Sequence, residues 1–191
     1  GDFSGSLFQV GANAGETIGI NKIVDGNADA LGKAQFSADG TIASFRTGDD
    51  TVDEDIADDD IDVTGLGFQI THADETTTNV ALDDFTVKKG ESISEALASA
   101  INAKMSETGV HAERGDDGAI TLSSVKAGNT FSFGTGNNFA SNATADLHGL
   151  AITAQAKTSL SGTDVTASGI EVTDFVKASR ALEIVDTALT A

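Results

Sequence analysis

Residues 7–20 read Leu-Phe-Gln-Val-Gly-Ala-Asn-Ala-Gly-Glu-Thr-Ile-Gly-Ile. Phe8 and Val10 alternate with Gln9 and Gly11, Ile18 and Ile20 alternate with Thr17 and Gly19, and Asn13-Ala14-Gly15 lies between the two runs. Two period-two runs around such a centre predict a β-hairpin, because Asn and Gly tolerate the positive φ that a tight loop needs. The large apolar side chains Phe8, Val10, Ile18 and Ile20 can then share one face, and two strands cannot bury a face alone. A second layer is required, and the far end of the chain offers one. There Phe175, Ala178, Leu182, Val185 and Leu189 are spaced three, four, three, four, which is the seam of a helix packing lengthwise on other helices.

Between these ends the chain alternates short strand signals with one strong helix. Gln35-Phe36-Ser37 and residues 41–45 flank Ala38-Asp39-Gly40, a pattern that predicts a second hairpin. Residues 49–62 carry nine acidic side chains in fourteen positions, a density that disfavours a buried element. Leu66, Phe68 and Ile70 alternate with polar or small residues, and Phe85-Thr86-Val87 is a further short strand ended by Lys88-Lys89-Gly90. Ser92-Ile93-Ser94-Glu95 is a capping box, and Ile93, Leu97, Ile101 and Met105 recur every four residues until Gly109, so the main helix is placed at about 92–108. Asp116-Asp117-Gly118 between residues 110–113 and 119–123 predicts a hairpin after that helix. Phe131 and Phe133 share one face of a short strand, Leu150, Ile152 and Ala154 form another, and Thr173 is the expected cap of the last helix.

Composition bounds the function. A chain of 191 residues with 39% apolar side chains can bury a real core. The absence of Cys removes disulfides, thiolate catalysis and cysteine zinc sites together, and leaves the compartment open. A net charge of −19 argues against nucleic acid or an anionic membrane as partner, since both repel an acidic surface. No apolar run approaches the ~20 residues of a membrane span, and residues 1–20 lack the basic-then-apolar order of a signal peptide.

The quoted segments carry a family resemblance. Residues 8–18 resemble the signature of bacterial flagellins where the chain leaves the long helices of the filament core domain. Residues 180–189, Arg-Ala-Leu-Glu-Ile-Val-Asp-Thr-Ala-Leu, resemble the returning helix of that domain. Residues 85–124 are similar to a strand-helix-hairpin module recurrent in flagellin outer domains and in other flagellar axial proteins.

What this resemblance implies is a strand-rich α+β chain, elongated, with the hairpin and the C-terminal helix at one end. Residues 1–22 and 169–191 would be part of the filament core domain. Residues 23–168 would be the variable surface domain, as one unit or two subdomains. Phe8, Val10, Ile18, Ile20, Phe175, Leu182, Val185 and Leu189 would then be core-domain packing positions. The function implied is that of a secreted, extracellular filament subunit serving motility by self-assembly. Its partners would be other flagellin subunits, an export chaperone, the flagellar cap and an innate immune receptor that senses mainly helices preceding Gly1. The long terminal helices are expected to flank this segment, which should therefore not form filaments alone.

Chemistry finds little purchase. Asp58, Asp60 and Asp62 alternate as in a calcium loop, but Val63 stands where that loop needs Gly and the distal Glu is missing. His72, His111 and His148 show no metal spacing. Lys88-Lys89-Gly90 before a helix start suggests an anion site or, more simply, a turn with solvated lysines. The Ser and Thr of residues 121–168 could carry O-linked sugars, as in some flagellins, while Asn142-Ala143-Thr144 fits the N-glycosylation pattern by chance. No nucleophile elbow, phosphate loop or nucleotide fingerprint is present, so neither an enzyme nor a cofactor is expected. The competing reading is an extracellular calcium- or carbohydrate-binding adhesin-type module.

Overall fold

A computed structural model describes residues 6–9, 17–20, 33–43, 55–136, 139, 145–147, 150–152, 155–162 and 164–190. For 6–9, 17–20, 145–147 and 150–152 it gives the backbone alone. The fold is mixed α+β and strand-rich.

Two three-stranded antiparallel sheets and one helix enclose the main core. In the first sheet β10 (Ile120–Ser124) lies between β4 (Gly40–Ile42) and β9 (Val110–Arg114). In the second, β6 (Leu66–Thr71) lies between β7 (Thr77–Ala81) and β11 (Thr130–Thr135). The alternation of Leu66, Phe68 and Ile70 places all three in the core. Phe68 meets Phe131 edge-on at 6.1 Å and Phe133 at 4.9 Å, so the central apolar mass is a cluster of rings. A two-stranded ladder, β5 (Ile61–Val63) with β8 (Phe85–Val87), adds its buried Ile61, Val63 and Val87.

The helix α1 (Ile93–Ala103) buries Ile93, Leu97 and Ile101 as its four-residue spacing requires, and packs on β9. It stops at Lys104, and a separate turn, α2 (Met105–Thr108), ends at Gly109 in the left-handed conformation with φ 65°. The predicted helix is therefore two pieces. Asn102 holds the helix to the sheet: its amide donates to the Ala112 carbonyl at 2.9 Å and accepts from the Ala112 N–H at 2.8 Å. The side chain thus acts as an extra strand residue at the β9 edge.

The hairpin expected around Asp39-Gly40 does not form. Ile42 joins the main core through β4 and β10, whereas Phe36 joins a smaller cluster with Ala34 and Ile184. Burial in two separate cores overrides the local turn signal. Residues 33–38 pair instead with the outgoing chain. β3 (Lys33–Ala34) is antiparallel to β14 (Val165–Thr166), Ser37 bridges to Leu160, and the Ala38 N–H donates to Ser159 at 2.8 Å. Just before this ribbon, Gln155 exchanges backbone bonds with Phe133, and its Oε1 accepts the Thr41 N–H at 2.7 Å. Incoming and outgoing chains are thereby zipped into one neck.

The acidic stretch also departs from expectation. Asp55 has no exposed surface, and residues 61–63 form a buried-facing strand. The density of carboxylates misled because a single Asp can be buried where several donors converge on it.

The hairpin predicted from residues 7–20 is present. β1 (Ser6–Gln9) and β2 (Thr17–Ile20) are antiparallel with Phe8 opposite Ile18. β12 (Ala145–Leu147) and β13 (Leu150–Ile152) form another. A 3-10 turn at Ala167–Gly169 leads to α3 (Phe175–Thr190).

Candidate assembly surface

The cap of α3 is Asp174, not the expected Thr173. The Asp174 Oδ1 accepts the Lys177 N–H at 2.8 Å and its carbonyl accepts the Ala178 N–H. The bond from the Lys177 N–H is the main reason the Asp174 carboxyl is held below its ordinary range. Lys177 in turn reaches Glu171 at 2.7 Å, which raises its own pKa.

One side of α3 is fastened to the neck. Ala181 and Ile184 are buried, the latter among Ala34 and Phe36. Arg180 fixes the register: its Nε donates to the Ser124 carbonyl at 2.8 Å, its guanidinium lies 5.0 Å from the Phe36 ring centroid, and Asp39 is 3.5 Å away. Lys126 and Glu183 approach to 3.9 Å alongside.

The other side is the seam. Leu182 and Leu189 are 74% and 80% exposed, and Val185 and Phe175 are 44% and 49% exposed. Val172, just before the helix, is exposed as well. These residues form a continuous row on water, where isolated apolar side chains would need no explanation. The register of β1 and β2 puts Phe8 opposite Ile18 and Ser6 opposite Ile20. Val10 and the side chains of Phe8, Ile18 and Ile20 lie outside the described residues.

The calcium candidates do not converge. Asp60 accepts from Lys88 Nζ at 2.9 Å and from the Lys89 N–H at 3.0 Å, and these bonds hold it below its ordinary range. Asp62 accepts the Thr86 hydroxyl at 2.7 Å across the β5–β8 ladder, and Asp58 is exposed. Lys88 and Lys89 are thus partners of the acidic stretch, with Lys89 3.7 Å from Asp59. Among the described residues no group of three or more His, Asp or Glu is arranged to hold a metal ion. His72 bonds Thr78 at 2.9 Å, His111 stacks on Phe175, and His148 lies outside the described residues.

Sequence reading missed the polar knot at the start of α1. The Ile93 N–H donates to the Asp55 carbonyl, the Ser94 N–H and hydroxyl and the Ser92 hydroxyl donate to its carboxylate, and Arg114 closes the site at 2.9 Å. Ser92 also accepts the Glu95 N–H, as the capping box requires. The orphan N–H groups of the first turn are therefore all bonded. Burial by itself raises the Asp55 pKa, but the bonds from the Ser94 N–H, both hydroxyls and Arg114 outweigh it and hold the carboxyl below 3.8. Nothing local marks Asp55 among its acidic neighbours. The role of Arg180 is equally silent, since its partners Phe36, Asp39 and Ser124 all lie far back along the chain.

Among the described residues no helix is long and apolar enough to cross a membrane. Residues 67–126, which run from β6 through α1 to the end of the β9–β10 hairpin, match the family model of the flagellin hook IN motif. The match supports a flagellin-family fragment, a piece of a flagellin-type filament subunit. That family is structural, assembles with further flagellin subunits and belongs to the extracellular flagellar filament. No curated protein matches the chain.

Proposed function

We propose that this chain is the part of a flagellar filament subunit in which the surface domain meets the filament core, and that it serves motility through self-assembly. Residues 23–168 form the domain facing water, and residues 1–22 and 169–191 belong to the core. The observation that carries the reading is the exposed seam of α3, with Leu182 and Leu189 turned to solvent on a helix whose other side is riveted to the neck by Arg180. Such a row suits other helices packing lengthwise. The β1–β2 hairpin would lean on the same seam. The zipped neck supports the division, because it brings both ends of the middle region to one place. The net charge of −19, carried outward, keeps neighbouring filaments apart.

Secretion, delivery by an export chaperone and insertion under the flagellar cap follow from the same reading. Innate immune recognition would involve the core side, of which α3 is a part. The adhesin alternative gains nothing from the acidic stretch, whose Asp60 and Asp62 are engaged by Lys88 and Thr86.

The test uses the intact subunit that carries this segment. Leu182→Asp and Leu189→Asp should abolish polymerisation measured by sedimentation and electron microscopy, with the circular dichroism spectrum unchanged. Thr77→Asp, on the exposed face of β7, should polymerise normally. Filaments of normal yield from both seam variants would overturn the reading.

A further inference from the structure

The first sheet ends at β4 on one side, since among the described residues β4 forms a ladder with β10 alone. In an antiparallel strand the N–H and C=O of one residue point to the same side, and those of its neighbours to the other. The Thr41 N–H donates to Gln155 Oε1 at 2.7 Å, so the backbone polar groups of Thr41 face away from β10. An outward donor and acceptor on a sheet edge are a template for another strand. Gln155 takes the donor.

Three features build the amide into this position. Its backbone is fixed on the second sheet, where Gln155 exchanges bonds with Phe133 at 2.9 and 3.0 Å. Its Nε2 donates to the Ala156 carbonyl at 2.9 Å, which leaves Oε1 turned to β4. Gly40 makes the room: a Cβ there would meet Gln155 Cγ at 2.8 Å and Cδ at 2.9 Å. The opposite edge of the sheet is closed by side chains as well. The Asn102 amide takes both polar groups of Ala112, and the Thr108 hydroxyl accepts the Val110 N–H at 3.1 Å.

We infer that the Gln155 amide guards the β4 edge against pairing with a second copy of this chain. Without the amide, Thr41 presents one outward N–H and one outward C=O on an exposed residue, an edge complementary to itself. Two β4 strands related by a two-fold axis bring Thr41 opposite Thr41, and the pair exchanges both bonds as an antiparallel ladder does. Facing Thr side chains add a favourable cross-strand contact. With the donor spent on Gln155, the remaining carbonyl cannot complete the pair. The guard acts within the chain, and the inference stands or falls independently of the filament reading.

Nuclear magnetic resonance on mixtures of isotope-labelled and unlabelled 191-residue chain tests it. The wild type should give no contact between Thr41 residues of different chains at about 1 mM, whereas Gln155→Ala should give one. Raising the concentration from about 0.05 mM to about 1 mM should slow exchange at the Thr41 amide about twofold in this variant and leave the wild type unchanged. Gly40→Ala displaces the amide with its methyl group and should behave alike, which keeps the test open if Gln155→Ala does not fold. Gln155→Glu retains an acceptor and should stay unpaired. Thr41→Pro deletes the edge donor and, added to Gln155→Ala, should abolish the contact. The same contact in the wild type, its absence from folded Gln155→Ala and Gly40→Ala chains, or pairing that survives Thr41→Pro would overturn the inference.

Discussion

The carboxylate of Asp55, without exposed surface, accepts a 2.9 Å bond from the guanidinium of Arg114, 59 positions further along the chain. Between them sits the first turn of α1, whose Ser94 gives both its N–H and its hydroxyl to Asp55 and takes the Arg114 Nε at 2.6 Å. The pair therefore pins an acidic segment, a helix start and an edge strand at one point. Asp55→Ala should lower the unfolding free energy by about 3–5 kcal/mol, since a charge and several donors lose their partner together. Ser92→Ala, which removes a cap but leaves Asp55, should cost about 1 kcal/mol. Urea titrations followed by circular dichroism give both values, and equal effects would refute the central place assigned to Asp55.

The same pair sets a pH dependence. The Asp55 carboxyl is held below 3.8 in the folded chain, so the unfolded chain binds its proton more readily. Its contribution is complete above that value and is lost as pH falls through the folded-state value. Acid titration should show the wild type losing stability below about pH 4, with Asp55→Asn showing a shallower slope there because it has no such proton to bind. Parallel slopes would assign the acid transition to other carboxylates.

Core positions that the four-residue spacing identified should behave conventionally. Leu97→Ala should cost roughly 2–5 kcal/mol, as for a fully buried Leu. Asn102→Ala should cost about 1–3 kcal/mol by leaving both polar groups of Ala112 without their partner. Thermal or urea unfolding distinguishes these values from the near-zero effect expected of a solvent-facing site.

Legibility followed the range of the interactions. The β6 alternation, the α1 face, the Gly109 stop and the β9–β10 turn were readable because each signal and its consequence lie within a few residues. The same locality explains the errors. Asp39-Gly40 carries a turn signal, yet Phe36 answers to Ile184 and Ile42 to Ile120, partners no local window contains. Asp55 looked like one acid among nine because the donors that bury it arrive from residues 92–94 and 114. The α3 seam was legible as a spacing, but which side of the helix the neck would take, through Arg180 and Ile184, was not.

Gly67 offers a test of sheet packing. A Cβ at this position would meet the Val80 carbonyl at 2.5 Å and the Phe139 ring at 2.7 Å. The first neighbour is backbone within the β6–β7 ladder and cannot rotate away. Gly67→Ala should therefore cost about 1–3 kcal/mol, as overpacking does, despite the better strand propensity of Ala. A neutral substitution would mean that β7 separates from β6 more easily than the ladder suggests.

The last prediction concerns which part of the chain folds unaided. The main core is closed by β4, β6, β9, β10, β11 and α1, and none of its residues comes from α3. The smaller cluster joins Ala34 and Phe36 to Ile184, so removal of α3 uncovers the neck and the His111–Ser124 end of the β9–β10 hairpin while leaving the main core closed. Burying a side chain of that kind is worth about 1.5–3 kcal/mol, and the Arg180 bond to Ser124 adds about 1 kcal/mol. A domain with an intact core tolerates such a loss, whereas one whose core is shared with α3 would not. Residues 23–168 expressed alone should thus melt in a single cooperative transition, at lower temperature than the 191-residue chain. Calorimetry with limited proteolysis decides the matter. A broad melt with cleavage throughout β9 and β10 would place α3 inside the folding unit and remove the boundary between surface domain and core.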